Sequence, residues 1–148
     1  MEADKMIEFR DLALLELKRA ERYRNFLSLL VLNLSEFLSS AGRRKITSQE
    51  EANQFIHMVI DRVKREARET DMISNLDDAR LVMILPETDR SGAEIACGRM
   101  KELLSEFMAE FLESNYRFDV PVEISSFPDQ RTDNISFKTQ LEKLFALA

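Results

Sequence analysis

"SNLDDARLVMILPETD", residues 74–89, holds a turn, a strand and an exit loop in sixteen positions. "RLVMIL" (80–85) is an apolar run of strand length, and Pro86, which cannot donate to a ladder, ends it. "MIS" (72–74) lies just upstream across "NLDDA", so the two runs predict a hairpin with aspartates in the turn, where they are favoured. Asp77 and Asp78 stand beside Arg80. Two adjacent carboxylates without a third ligand rarely hold a hard cation. A solvated turn is therefore the default reading, and a metal site of their own the sharper alternative.

Working outward, "FLSLLVLNL" (26–34) reads as a second strand, apolar on both faces and therefore covered on both. It is far shorter than the about 20 residues of a membrane span. Ahead of it, Ile7, Leu12, Leu15, Leu17, Ala20 and Tyr23 recur at helical spacing up to Arg24, and Lys18, Arg19, Arg22 and Arg24 crowd the helix end, where cations suit its dipole. Between the strands, Ser48 and Glu51 form a capping box, followed by Ala52, Phe55, Ile56, Val59, Ile60, Val63 and Ala67 at i, i+3, i+4, i+7 spacing. Past Pro86, Ser91 and Glu94 suggest another capping box ahead of a stripe from Ala93 to Phe111. Phe118, Val120, Val122 and Ile124 alternate, with Pro121 marking an edge strand or bulge, and a last helix runs from about Ile135 through Leu144.

The order α-β-α-β-β-α-β-α predicts an α/β (α+β) fold with a mixed central sheet of four to five strands flanked by helices, on a ferredoxin-like βαββαβ core. At 148 residues, with 45% apolar and 32% charged residues and only three glycines and three prolines, the chain suits one domain spanning 1–148, with 1–6 disordered or a linker. A net charge of −6 argues against general nucleic-acid binding, which needs a basic surface. A single cysteine, Cys97, excludes an internal disulfide and fits a reducing, cytoplasmic setting; no signal or membrane segment is expected. His57, the only histidine, has no Ser or Cys spaced to suggest a triad, and Cys97 reads as a small core or boundary residue.

Two stretches resemble a known family. "LKRAERYRNFLSLLVLNLSEF" (17–37) is similar to the opening of a GGDEF domain, the bacterial diguanylate cyclase module, and "ARETDMISNLDDARLVMILPETD" (67–89) is similar to "RxxDxxxRxGGDEFxxLLPxTD", without a gap from Asp71 to Asp89. The resemblance covers roughly residues 10–148 and implies a nucleotide-cyclase-like core. In this register Gly-Gly-Asp-Glu-Phe falls on Asp77, Asp78, Ala79, Arg80 and Leu81, and the family's first metal aspartates fall on Asn33 and Ser35. Two anionic side chains replace glycines that let backbone approach phosphate. The acidic pair becomes Ala79 and Arg80, and neutral oxygens replace magnesium carboxylates. Without the metal nothing neutralises a triphosphate for in-line attack. The resemblance therefore implies no catalytic residues, no metal and no cofactor here.

It also implies a retained feature. Arg68-Glu69-Thr70-Asp71 occupies the family's product-inhibition Arg-x-x-Asp, and Arg99 falls where a second arginine joins it, so the three are expected to converge beside the hairpin. Arginine offers a planar fork to phosphate and a face to guanine, and aspartate can accept from a guanine edge. The plainer alternative is a helix-end ion pair, with Arg62, Lys64 and Arg65 a solvated helix face. The expectation is a catalytically inactive GGDEF-like receptor for cyclic di-GMP, as degenerate members with an intact Arg-x-x-Asp serve in exopolysaccharide secretion. The ligand would link it to a protein partner or a second copy. The alternative is a ligand-free interaction or dimerisation module of bacterial signalling, with a residual nucleotide-binding or cyclase enzyme as a third.

Overall fold

The computed structural model describes residues 2–115, 117–128 and 137–145. In chain order the elements are α1 (Glu2–Tyr23), β1 (Leu27–Asn33), α2 (Ser35–Ser39), a 3-10 turn (Ala41–Arg44), α3 (Gln49–Glu66), β2 (Met72–Asn75), β3 (Arg80–Pro86), α4 (Arg90–Leu112), β4 (Val122–Phe127) and α5 (Phe137–Phe145). The strands form one sheet in the order β2-β3-β1-β4. All its pairings among the described residues are antiparallel, where the sequence suggested a mixed sheet. β1 and β2 do run the same way, but β3 lies between them, and β1 likewise separates β3 from β4. Parallel neighbours never meet.

Each central strand is largely apolar on both faces because each face meets a different helix layer. Leu30 and Leu32 of β1 and Leu81, Met83 and Leu85 of β3 join Phe55, Val59, Val63, Met100 and Leu104 in one core. Leu27 and Leu29 with Val82 and Ile84 join Phe9, Ala13, Leu17, Ala20, Phe137 and Leu141 in the other. The period-2 alternation of a strand does the sorting. Ser28, fully buried, donates to the Thr88 carbonyl at 2.7 Å and shares a 2.9 Å hydrogen bond with Ser126 Oγ. That polar contact ties β1 and the edge strand β4 to the segment feeding α4.

Several expectations are corrected in detail. α1 begins at Glu2, and residues 2–6 hold no glycine or proline to stop a helix. The face of α1 that packs is Phe9, Ala13, Leu17 and Ala20, while Leu12, Leu15 and Tyr23, assigned to the packing stripe, are exposed. α4 is capped by Asp89, whose carboxylate accepts from Gly92 N–H at 2.8 Å, rather than by Ser91. Ser48 caps α3 as expected, accepting from Glu51 N–H at 3.1 Å. β4 starts only after Pro121, as an edge strand, although Val120 before it is still buried. Ile135 lies outside the described residues. The loop "SSAGRRK" folds into the end of α2 and the 3-10 turn, where Gly42 sits so close to Phe37 that a Cβ would meet its ring at 2.8 Å. Lys45 Nζ donates to the Phe111 carbonyl at 2.6 Å, fastening the turn to α4.

Candidate functional site

The C-terminal end of β3 opens onto a cleft of about 390 Å³. α3 stops at Ala67, whose extended backbone (ψ 160°) turns the chain toward β2. Asp71 N–H donates to the Arg68 carbonyl at 3.0 Å, closing this turn. On the other side, Glu87 takes a left-handed φ of 53°, swinging Thr88 and Asp89 into place at the start of α4. Arg68 and Asp71 come from the first turn and Arg99 from α4, and all three line the cleft over Met83, Leu85 and Met100.

Within it, Arg68 and Asp71 form a tight unit. Arg68 Nη2 donates to Asp71 Oδ1 at 2.8 Å and Nε to the same oxygen at 3.2 Å, while Arg68 backbone N–H reaches Oδ2 at 2.9 Å. Nη2 also donates to Thr88 Oγ1 at 2.6 Å and to the Pro86 carbonyl at 3.0 Å. The Asp71 side chain is 7% exposed and that of Arg68 54%. The carboxylate is thus spent on holding the guanidinium, and presenting it to a guanine edge requires Arg68 to swing away. Arg68 Nη1 has no protein partner among the described residues, and Arg99 is exposed without an ion pair among them. Glu66, Glu87 and Asp89 line the same cleft, so an anion entering it meets carboxylates as well as guanidinium groups.

Thr88 and the Pro86 carbonyl were not singled out from sequence. The signal was present in "LPETD", whose proline and threonine match "LPxTD", but a carbonyl and a hydroxyl gain a role only once the strand end meets the α3–β2 turn.

The hairpin positions assemble at the opposite end of β3. Strand geometry puts Arg80 roughly 20 Å from Pro86, whose carbonyl holds Arg68, so Arg68, Asp71 and Arg99 converge away from the hairpin rather than beside it. Asp77 Oδ1 accepts from the backbone N–H groups of Ala79 at 2.9 Å and Arg80 at 2.8 Å, and Oδ2 accepts from Arg80 Nε at 2.8 Å. Partial burial pushes the Asp77 carboxyl up, but these bonds and the Arg80 charge outweigh it and hold it below its ordinary value. Asp78 is exposed. Asn33 lies across from Arg80 in the β1–β3 register, and its Oδ1 accepts from Ser35 N–H at 2.9 Å and Ser35 Oγ at 2.6 Å. Leu34 N–H donates to the Ala79 carbonyl at 2.7 Å, and Leu81 is fully buried. The structure thus brings Asn33, Ser35 and the turn into one corner, where Ser35 bonds to Asn33 and Arg80 to Asp77. Among the described residues no group of three or more His, Cys, Asp or Glu is placed to hold a metal. Burial pushes the Cys97 thiol up against the opposing pull of Lys101 and Arg90, which disfavours the nucleophilic thiolate. His57 is exposed on α3.

No family model matches the sequence, and no curated protein does. Solved structures do. The GGEEF domain of a diguanylate cyclase from Vibrio cholerae superposes with a TM-score of 0.63 at 14% identity, over 80% of this chain and 72% of that one. The diguanylate cyclase SiaD of Pseudomonas aeruginosa, solved with its activator SiaC, gives 0.64 at 12% identity, over 94% and 51%. The fold is that of a GGDEF domain. PelD 156–455 from Pseudomonas aeruginosa PA14, in its apo form, matches with a TM-score of 0.55 at 17% identity, over 99% of this chain and 45% of that one. In this fold the β2–β3 hairpin turn carries "LDDAR", residues 76–80. No helix among the described residues is long and apolar enough to cross a membrane.

Proposed function

We propose that this chain is a catalytically silent GGDEF-like signalling domain that binds cyclic di-GMP in the cleft between α3 and α4. The observation that carries this reading is the meeting of Arg68, Asp71 and Arg99 on one cleft wall system in a GGDEF-type fold. Asp71, Thr88 and the Pro86 carbonyl hold one edge of the Arg68 fork, which leaves Nη1 for a phosphate oxygen. Arg99, on a long exposed stem, supplies a second cation or a stacking face for guanine. At the hairpin, Arg80 and the locally bonded Asn33 and Asp77 offer neither a pair of magnesium carboxylates nor a glycine approach to phosphate.

Titration calorimetry with cyclic di-GMP tests this. The expected result is binding in the micromolar range, abolished in Arg68→Ala and weakened about tenfold in Arg99→Ala, the loss of roughly one charge-assisted contact. Asp71→Asn is expected to weaken binding as well, by loosening the fork. With GTP and magnesium, no cyclic di-GMP is expected to form. Absence of wild-type binding at high ligand concentration would overturn the proposal.

A second reading is favoured by one observation: Nη2 of Arg68 is already held by Asp71, Thr88 and the Pro86 carbonyl, as in an internal structural bracket. The domain is then a ligand-free interaction module, and Arg68→Ala lowers its stability whether or not the dinucleotide is present.

A further inference from the structure

A second cleft, of about 440 Å³, opens beside the one that Arg68 and Arg99 line. The two share Phe26 and Glu87 in their walls. The α3–β2 turn serves both, with Arg68 and Asp71 lining one and Thr70 the other. Pro86 borders the second cleft, and its carbonyl accepts from Arg68 Nη2 at 3.0 Å, which sets the guanidinium at the boundary. The end of α1 and its link to β1 build the far wall. Arg24 takes a left-handed φ of 56° there, and Asn25 N–H donates back to the Ala20 carbonyl at 3.0 Å. This tight reversal leaves two rings at the rim, Tyr23 at 63% and Phe26 at 45% exposed. Arg22 already lies over the Tyr23 ring at 5.5 Å, whereas Phe26 has no ring partner among the described residues. Glu16 lines the same cleft with a side chain only 23% exposed, and its Oε1 accepts from Arg19 Nη1 at 3.3 Å.

We propose that this second cleft is a guanine pocket, with the base stacked on Phe26 and its edge read by Glu16. The inference rests on the reading of the Arg68 cleft as a dinucleotide site and extends that site past Phe26. A phosphate of a cyclic dinucleotide joins two nucleosides, so one held at Arg68 Nη1 has a base on either side. One base stays in the first cleft beside Arg99, and the other crosses Phe26 into the second. Asp71 cannot read either base while it holds Arg68, its side chain being 7% exposed. Glu16 can. The Watson–Crick edge of guanine offers two neighbouring donors, N1–H and N2–H, and a carboxylate accepts both. Adenine turns an acceptor, N1, toward the same carboxylate and is disfavoured. Arg19 holds one oxygen of Glu16 and leaves Oε2 without a hydrogen bond among the described residues. Asn25, also in the wall, has an amide that can donate to the guanine O6. The ring of Phe26 stacks on any base, so it supplies affinity and Glu16 supplies the choice. Arg68 reads phosphate alone and makes no such choice.

The chain has no tryptophan, so a Phe26→Trp variant of the full chain reports on this wall directly. Cyclic di-GMP is expected to quench its fluorescence with the same midpoint that calorimetry gives, and Arg68→Ala in the same background should remove the quench. Phe26→Ala should weaken cyclic di-GMP binding by about tenfold, with the circular dichroism spectrum unchanged. The wild type should prefer cyclic di-GMP to cyclic di-AMP by about tenfold or more. Glu16→Gln should narrow that preference, because its amide can donate to the adenine N1. Suppose the wild type binds cyclic di-GMP and Arg68→Ala abolishes binding, but the Phe26→Trp signal does not move or Glu16→Gln keeps the full preference. The guanine pocket is then overturned and the Arg68 site stands. Equal affinity of the wild type for the two dinucleotides overturns the pocket in the same way. A wild type that binds neither dinucleotide overturns both.

Discussion

Asp77 shows how one carboxylate can organise a turn without any metal. Its two oxygens take three hydrogen bonds from Ala79 and Arg80, which together hold the carboxyl below its ordinary value despite the opposing effect of partial burial. The sign of the pH dependence follows. A carboxyl whose pKa is depressed in the folded state contributes stability that is fully present above its unfolded pKa, and the contribution is lost as pH falls through the folded value. Asp77→Asn should therefore be less stable than the wild type at about pH 6, with the gap narrower at about pH 3, below the ordinary carboxylate value. Urea unfolding of both proteins at the two pH values checks this, and an unchanged gap would refute it. Arg68 illustrates a different limit at the same scale. Its pairing with Asp71 follows from spacing alone, but its bonds to Thr88 and Pro86 span 20 and 18 residues and belong to the fold.

Helix ends are where element-level physics is most exposed. α4 finishes on Glu113 in the left-handed region, at φ 54° and ψ 43°, with its N–H returned to the Ala109 and Glu110 carbonyls. That conformation suits glycine, and an L side chain carries a penalty of about 1–2 kcal/mol there. Glu113→Gly should stabilise the protein by about 0.5–1 kcal/mol, read as a higher urea midpoint at unchanged slope. The start of α4 shows why its cap was misassigned. Ser91-Gly92-Ala93-Glu94 satisfies the capping-box pattern, but Asp89 two positions earlier already accepts from Gly92 N–H, so the helix begins sooner and Ser91 is within it. A pattern of four residues cannot report which of two good caps lies where the preceding strand delivers the chain.

Across the whole molecule, the sheet is the partition between two cores, and this decides which face of each helix counts. α1 has apolar residues most of the way round, so periodicity alone offers two candidate stripes. Leu17 is 2% exposed and Leu15 45%. Leu17→Ala should cost about 2–4 kcal/mol, as a buried leucine does, whereas Leu15→Ala in dilute solution should stay within about 0.5 kcal/mol. Chemical denaturation of the two variants separates them, and equal losses would contradict the packing. The existence and type of the main elements were legible in the residues, because burial on both sheet faces writes continuous apolar strands and the amphipathic α3 writes a clean stripe. The hairpin, the β1 strand, the Ser48 cap and the Arg68–Asp71 turn are local, so their spacing along the chain was enough to specify them. Strand order, the buried side of α1 and the distance between the hairpin and the cleft depend on contacts far apart in sequence. Only the folded sheet decided these. It laid β3 between β1 and β2, carried Arg99 on α4 to the cleft that Arg68 and Asp71 line, and set that cleft at the opposite end of β3 from "LDDAR".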